Sequence, residues 1–338
     1  MKRILFFLVL ISIVSCKPEI REKETATIEI IPEPDFTITT QVKTHYKFSS
    51  EIPPILKVAD GSVIEAFTQE ATGGQLTINS TLEDYSKVDW EKVHVLTGPI
   101  YVEGAEKGDV LAVELLDLEP GDWGWTGMEP GFGFLAGEHD TWLFKTYELD
   151  KKNNVVHFSE NISVPLNPFA GVMAVAPDST AMLTTYPPRA NGGNMDDPHL
   201  VKGVTVYLPV FNKGALFSIG DPHAVQGLGE VVGTAVECDM RIRFRLSVIK
   251  DKKISEPEYE SKAYYATTGF GTTIDEAAKK ATRYMVEHIS KTYDMSWEEA
   301  YMLCSLIGDL KIAEVVDVPH MLVTMHIPKR VFENDTRD

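Results

Sequence analysis

Cysteine is scarce: the 338-residue chain has three, Cys16, Cys238 and Cys304. No disulfide framework can be built from so few, and neither internal cysteine lies in the glycine-rich or electropositive setting that makes a reactive thiolate. There is no Gly-x-Ser-x-Gly elbow, so a serine nucleophile of that type is unsupported. Positive charge is in deficit, with 32 Lys and Arg against 50 Asp and Glu and a formal charge of -18. That balance argues against nucleic acid as a partner, since phosphate contact draws on Lys and Arg. Long apolar runs are also missing. The one prominent run, Ile4 to Val14, is shorter than the ~20 residues of a spanning helix.

That short run has its own meaning. It follows Met1-Lys-Arg and ends at Ser15-Cys16, the order of a bacterial lipoprotein signal. Residues 1–16 are therefore expected to be a signal ending at a lipidated Cys16. Residues 17–36, rich in Glu, Lys, Thr and Pro, read as a flexible acidic tether. The expected location is the bacterial cell envelope, with membrane contact through the lipid only. Cys238 and Cys304 are then left either to pair or to stay as buried free thiols.

Residues 37–255 read as a β-rich core. Val110 to Asp117, Val204 to Val210 and Met240 to Val248 are apolar or alternating runs. In the last, Arg241, Arg243 and Arg245 alternate with Ile242, Phe244 and Leu246, a period of two with one wet and one buried face. A faint repeat relates Gly61 to Glu70 with Gly108 to Asp117, as related hairpins of a sandwich or barrel would. Residues 256–338 read as a smaller α+β portion packed on that core. Thr273-Ile-Asp-Glu276 and Ser296-Trp-Glu-Glu299 are capping boxes, predicting helices to about Lys291 and to about Ile307 or Leu310. A final strand is expected from Met321 to Ile327.

The chemistry concentrates in Gly214 to Glu237. Asp221, His223 and Glu230 fall within ten residues, among Gly220, Gly227 and Gly229. They are oxygen and nitrogen donors suited to a divalent metal. The expected setting is a loop between two strands, Ala215 to Ile219 and Val231 to Val236. By spacing alone the pattern is equally a glycine-rich turn.

Four pieces, taken together, resemble the acetamidase/formamidase family: His94-Val-Leu-Thr-Gly-Pro to Asp109; Asn191-Gly-Gly-Asn-Met-Asp196; Tyr207-Leu-Pro-Val210 with Gly-Asp-Pro-His-Ala-Val-Gln-Gly-Leu-Gly-Glu230; and a tail with Ala300 to Ser305 and Ile327 to Lys329. The resemblance spans about residues 50 to 330. It implies a mainly β fold and hydrolysis of small linear amides to a carboxylic acid and ammonia, and the repeat adds a sandwich or barrel-like core. Leu228 departs from the family pattern, which has an acid there, and Pro222 stands where a small residue is usual.

Clustered acids and imidazoles favour metal-activated water, whose pKa can fall from about 15.7 to about 7. On this reading Asp221, His223 and His94 hold the metal, zinc in preference to calcium. Glu230 is general base or a further ligand. Asn194 and Asp196 orient the amide, Glu103 completes the polar shell, and Trp123 and Trp125 wall the substrate pocket. Trp123, Trp125, Phe132 and Phe134 equally suit a subunit interface, and a homo-oligomer is expected. Three alternatives stay open: a metal-free pair of carboxylates; a lipoprotein that binds a small ligand with the same fold, which Leu228 favours; and hydrolysis of a related bond in a larger amide, with the Trp123 to Phe134 segment shaping the pocket.

Overall fold

The computed structural model describes residues 31–39 and 43–332. The signal, Cys16 and most of the tether lie outside the described residues. The end of the expected tether does not: the amide of Asp35 donates to the Val63 carbonyl at 2.8 Å, and Asp35 Oδ2 accepts from the Val63 amide. A strand begins at Phe36 and runs parallel to Val63–Thr68. Backbone pairing therefore engages the chain before residue 37.

The protein is mainly β, as its alternating runs predict, and among the described residues strand pairings link seventeen strands into one mixed sheet. Its axis is the strand Val236–Ile249, which pairs antiparallel with Val110–Met128 on one side and with Val63–Thr68 on the other. The two repeat-like segments thus flank one common strand. Ile242, Phe244 and Leu246 are fully buried in the main core. The arginines between them face acids on the neighbouring strands: Arg241 pairs with Glu119, Arg243 with Glu65 and Arg245 with Glu114. Each is directly opposite its acid in register, so cross-strand attraction supports the pairing that burial sets.

The C-terminal part continues the same sheet. Thr205–Pro209 pairs with Glu258–Glu260, which pairs with Tyr264–Gly271, which pairs with Met321–Pro328. Helices Ile274–Thr292 and Trp297–Ile307 cover this extension, burying Ala281, Met285, Ile289, Ala300 and Cys304 against Met325. Both start where their caps predict. Ser296 and Glu299 cap each other reciprocally. Thr273 Oγ1 accepts from the Glu276 amide, but the Glu276 carboxylate reaches Thr272 instead of its cap, so the first box is half closed. Cys238 and Cys304 are buried free thiols, not a pair.

Candidate active site

Asp221 and His223 do not sit in a loop. Both lie within the strand Phe217–Val225, and alternate strand residues project from one face. Burial and pairing on both sides override the turn preference of a Gly-Asp-Pro sequence. The strand is flanked by Phe169–Ala174, where Phe169 lies opposite His223, and by Val236–Ile249, where Glu237 lies opposite His223. The expected strand at Val231 is instead a turn-rich loop, and pairing resumes only at Val236. That loop carries Glu230.

The side chains converge on His223. Its Nε2 is 3.3 Å from Asp221 Oδ2 and 3.1 Å from Glu237 Oε2. Its Nδ1 is 2.9 Å from Gln226 Oε1, and Gln226 Nε2 donates to the Asp196 carbonyl at 2.7 Å. Because the Gln226 amide nitrogen is spoken for, its oxygen must accept, so His223 carries its proton on Nδ1 and offers Nε2 to the cluster. His94 is held similarly. Its Nδ1 lies 3.3 Å from Thr185 Oγ1, which donates to the Val93 carbonyl, and its Nε2 points to Asp221 Oδ2 at 3.7 Å.

Asn194, on the strand Gly192–Asn194, donates Nδ2 to Asp317 Oδ2 at 2.7 Å. Asp196, Asp221, Glu230 and Asp317 line one cavity of ≈ 280 Å³ with His94 and Glu237. Among the described residues four sets of donors lie close enough to share an ion; three of them belong to this cluster, namely Asp196, Asp221 and His223; His223, Glu230 and Glu237; and Asp196, Glu230 and Asp317, and the fourth is Asp197, His199 and His326. Asp196, Asp221 and Glu230 hold φ of 39°, 52° and 44°, a left-handed backbone that carries strain in non-glycine residues and concentrates at functional sites.

Acids outnumber imidazoles here, and the electrostatics follow. Burial raises the Asp196 carboxyl well above the usual range, with Asp221 adding to the effect and His223 opposing it. Burial and then Asp196 do the same to Glu230. Burial and then Glu314 do so to Asp317, and burial pushes Glu314 up to about 7. Burial would raise Asp221 too, but His94 and His223 beside it hold its carboxyl below the usual value. Burial opposes charge on His223, yet Glu237 and Asp221 hold it well above the usual imidazole range; the extra proton sits on Nε2, where a bound cation would take its place.

Both oxygens of Asp196, Oδ1 of Asp221 and Oδ1 of Asn194 are buried without a hydrogen-bond partner. Buried charge of one sign is costly unless an opposite charge answers it. The donor set therefore fits a divalent cation held by one of these groups of three, with His223 common to two of them.

Gly171 forms the floor. A Cβ there would come 2.2 Å from Asp196 Oδ1 and 2.9 Å from Asp221 Oδ2, so the close approach of those acids requires its bare backbone. Gly171, Thr185, Glu314 and Asp317 stand in no motif that announces a ligand, and Gln226 and Glu237, though inside the Gly214 to Glu237 segment, take their roles only from their contacts with His223.

Three expectations fall elsewhere. Glu103 is at the surface, its carboxylate 2.7 Å from Lys57 Nζ, and does not line the cavity. It follows Leu96–Val102 at the end away from His94, and a seven-residue strand spans roughly 20 Å. Trp125 lines the cavity, whereas Trp123 is half-buried behind it in an aromatic cluster. Phe132 lines the cavity and Phe134 is exposed. Leu228 is 47% exposed and outside the cavity, so an acid at that position would not touch the cluster.

With this geometry in hand, the likenesses are specific. The profile of the Acetamidase/Formamidase family matches residues 33–186 and 179–334. A formamidase of Methylophilus methylotrophus is 29% identical, covering 87% of this chain and 90% of its own. An acetamidase of Mycolicibacterium smegmatis is 28% identical over 56% of this chain and 62% of its own. Among solved structures, a predicted acetamidase/formamidase from Thermoanaerobacter tengcongensis superimposes with a TM-score of 0.83 at 31% identity, covering 88% of this chain and 97% of its own. An acetamidase from Bacillus halodurans gives 0.81 at 31% identity, over 86% and 97%. The chain belongs to the acetamidase/formamidase family.

Proposed function

We propose that this protein hydrolyses the C–N bond of linear amides at the His223 cluster, releasing a carboxylate and ammonia. The observation that carries the reading is the convergence of buried, unpartnered carboxylate oxygens on two imidazoles whose Nε2 atoms face inward. A divalent ion held by Asp221, His223 and the neighbouring acids, zinc in preference to calcium, would supply Lewis-acid polarisation and lower the pKa of water.

The chain's own groups do the rest. Glu230 takes the proton from the attacking water as the new C–O bond forms. It then returns that proton to the leaving nitrogen as the C–N bond breaks. A buried carboxyl with a raised affinity for protons suits both tasks near neutral pH. Asn194 Oδ1, buried and unpartnered, accepts from the amide N–H, and its other end is fixed on Asp317. Asp196 lies against the same space and orients the substrate.

The test is metal content and ammonia release measured together on the chain lacking residues 1–16, with formamide and acetamide, with and without chelator. Bound metal and chelator-sensitive release support the reading. A metal-free preparation with undiminished release removes the ion from it, and metal without release on any amide leaves the binding-only alternative. Leu228, which motivated that alternative, lies outside the cavity.

We also propose that the protein is exported and anchored by lipid on Cys16, on the strength of Met1-Lys-Arg, the Ile4 to Val14 run and Ser15-Cys16. Acyl mass on an N-terminal Cys16, absent when the chain is expressed without residues 1–16, is the expected result. The expected homo-oligomer is read by light scattering on the same soluble form.

A further inference from the structure

The cavity is larger and more aromatic than formamide or acetamide requires. At ≈ 280 Å³ it exceeds by nearly twofold the roughly 150 Å³ of an apolar cavity known to accept a benzene ring. The two smallest amides displace roughly two to three waters of about 30 Å³ each, so most of the chamber would stay wet around them.

The walls are aromatic. Tyr85, Trp90, Trp125, Phe132 and Tyr186 line the space beside the carboxylates. Tyr85 packs edge-on to Trp90 with ring centres 5.7 Å apart, and Trp125 lies at the same distance on its other side. Their polar ends are turned into the wall. Trp125 Nε1 donates to Glu70 Oε2 at 2.9 Å, and Glu70 is saturated by Thr72 and Gly74. Tyr186 Oη donates to the Trp90 carbonyl at 3.1 Å. The Tyr85 hydroxyl abuts Gly127, where a Cβ would come within 2.6 Å of it. What remains toward the cavity is apolar surface beside a polar floor, the layout of a site for a ligand with one reactive polar end and one bulky apolar end.

We propose that the chamber selects amides of bulky apolar acids, of about phenylacetamide size, over formamide and acetamide. This rests on the amidase reading for the reaction, but not for the binding preference. The carboxylamide end meets Asn194, Asp196 and Glu230, and the ring is buried among Tyr85, Trp90, Phe132 and Tyr186. The carboxylate of Glu129 in the same wall disfavours acyl chains that themselves end in a carboxylate.

The experiment compares phenylacetamide, acetamide and formamide on the wild-type chain by kcat/KM for ammonia release. It also compares equilibrium binding of phenylacetamide and acetamide to Glu230→Gln by calorimetry. Burial of a ring-sized apolar group predicts a preference of roughly 10- to 100-fold for phenylacetamide. Trp90→Ala and Phe132→Ala are expected to shrink the phenylacetamide-to-acetamide ratio at least severalfold. Ala71→Leu, which fills the chamber instead of emptying it, lowers the same ratio if either alanine variant fails to fold.

Acetamide equal to or better than phenylacetamide, in turnover and in binding, overturns the assignment, as does a ratio that none of the three substitutions moves. If no amide is hydrolysed but phenylacetamide still binds more tightly, the amidase reading fails and the chamber assignment stands. Equal binding in that case overturns both.

Discussion

His223 Nδ1 and Gln226 Oε1 lie 2.9 Å apart, and this one contact decides which nitrogen of the imidazole faces the acids. Removing it leaves the ring free to take the other tautomer or to turn. Gln226→Leu keeps the bulk and loses both hydrogen bonds. Metal affinity is expected to fall about 10- to 100-fold, as for loss of a ligand's hydrogen-bonded support, and His223→Ala to abolish most binding. Competition with a chromophoric chelator measures both. Full metal occupancy in His223→Ala would mean that the ligands lie elsewhere.

Glu230→Gln keeps shape and removes the proton acceptor. Turnover is expected to fall about 10²- to 10⁴-fold with the circular dichroism spectrum and metal content unchanged. Undiminished ammonia release rules out the base role, and lost metal makes Glu230 a ligand.

Gly171→Ala tests the floor of the site. The added methyl must displace Asp196 or Asp221, since the gap to Asp196 Oδ1 is 2.2 Å. Overpacking of this kind costs about 1–3 kcal/mol, and metal binding is expected to weaken at least tenfold. A variant that binds metal as tightly as the parent would show that those two acids do not share an ion.

His326 supplies a pH dependence outside the His223 cluster. It is buried, with Nε2 2.8 Å from Tyr259 Oη and 3.0 Å from Thr324 Oγ1. Burial, against the pull of Asp197, lowers its pKa to about 3 from an ordinary 6.5. Between those values the unfolded chain takes up a proton that the folded chain refuses, so stability falls as pH drops from 6.5 toward 3 and is not lost on the alkaline side. Urea midpoints across that window measure the slope. It is expected to be shallower in His326→Asn, and an identical slope in both proteins removes His326 as the cause.

What could be read in the sequence was local. Ser296 and Glu299 announce a helix start because the hydrogen bonds span three residues. Arg241 to Leu246 announces a two-faced strand because its period is written in adjacent positions. Asp221, His223 and Glu230 stand out because the chain places them within ten residues. Asp317 does not, for it meets Asn194 across 123 residues of chain, a distance no local pattern encodes. Glu237 was hidden differently: it reads as one residue of a strand, and only the register opposite His223 gives it a role. The Asp221 segment reads as a loop because its residues favour turns in isolation, whereas strands on both sides satisfy its backbone and bury it. The Val231 segment was mistaken for a strand for the converse reason, since β-branched residues without a partner strand gain little from extension.

The left-handed backbone at Asp196, Asp221 and Glu230 has a consequence for how this protein can be improved. Each position would be relieved of strain of order 1 kcal/mol by glycine, and each substitution would also remove a buried carboxyl. A selection that rewards heat resistance alone would therefore be drawn to these three codons first. It would return a sturdier protein with an emptied active site, so any thermostability campaign on this chain must hold all three fixed or screen for turnover in parallel.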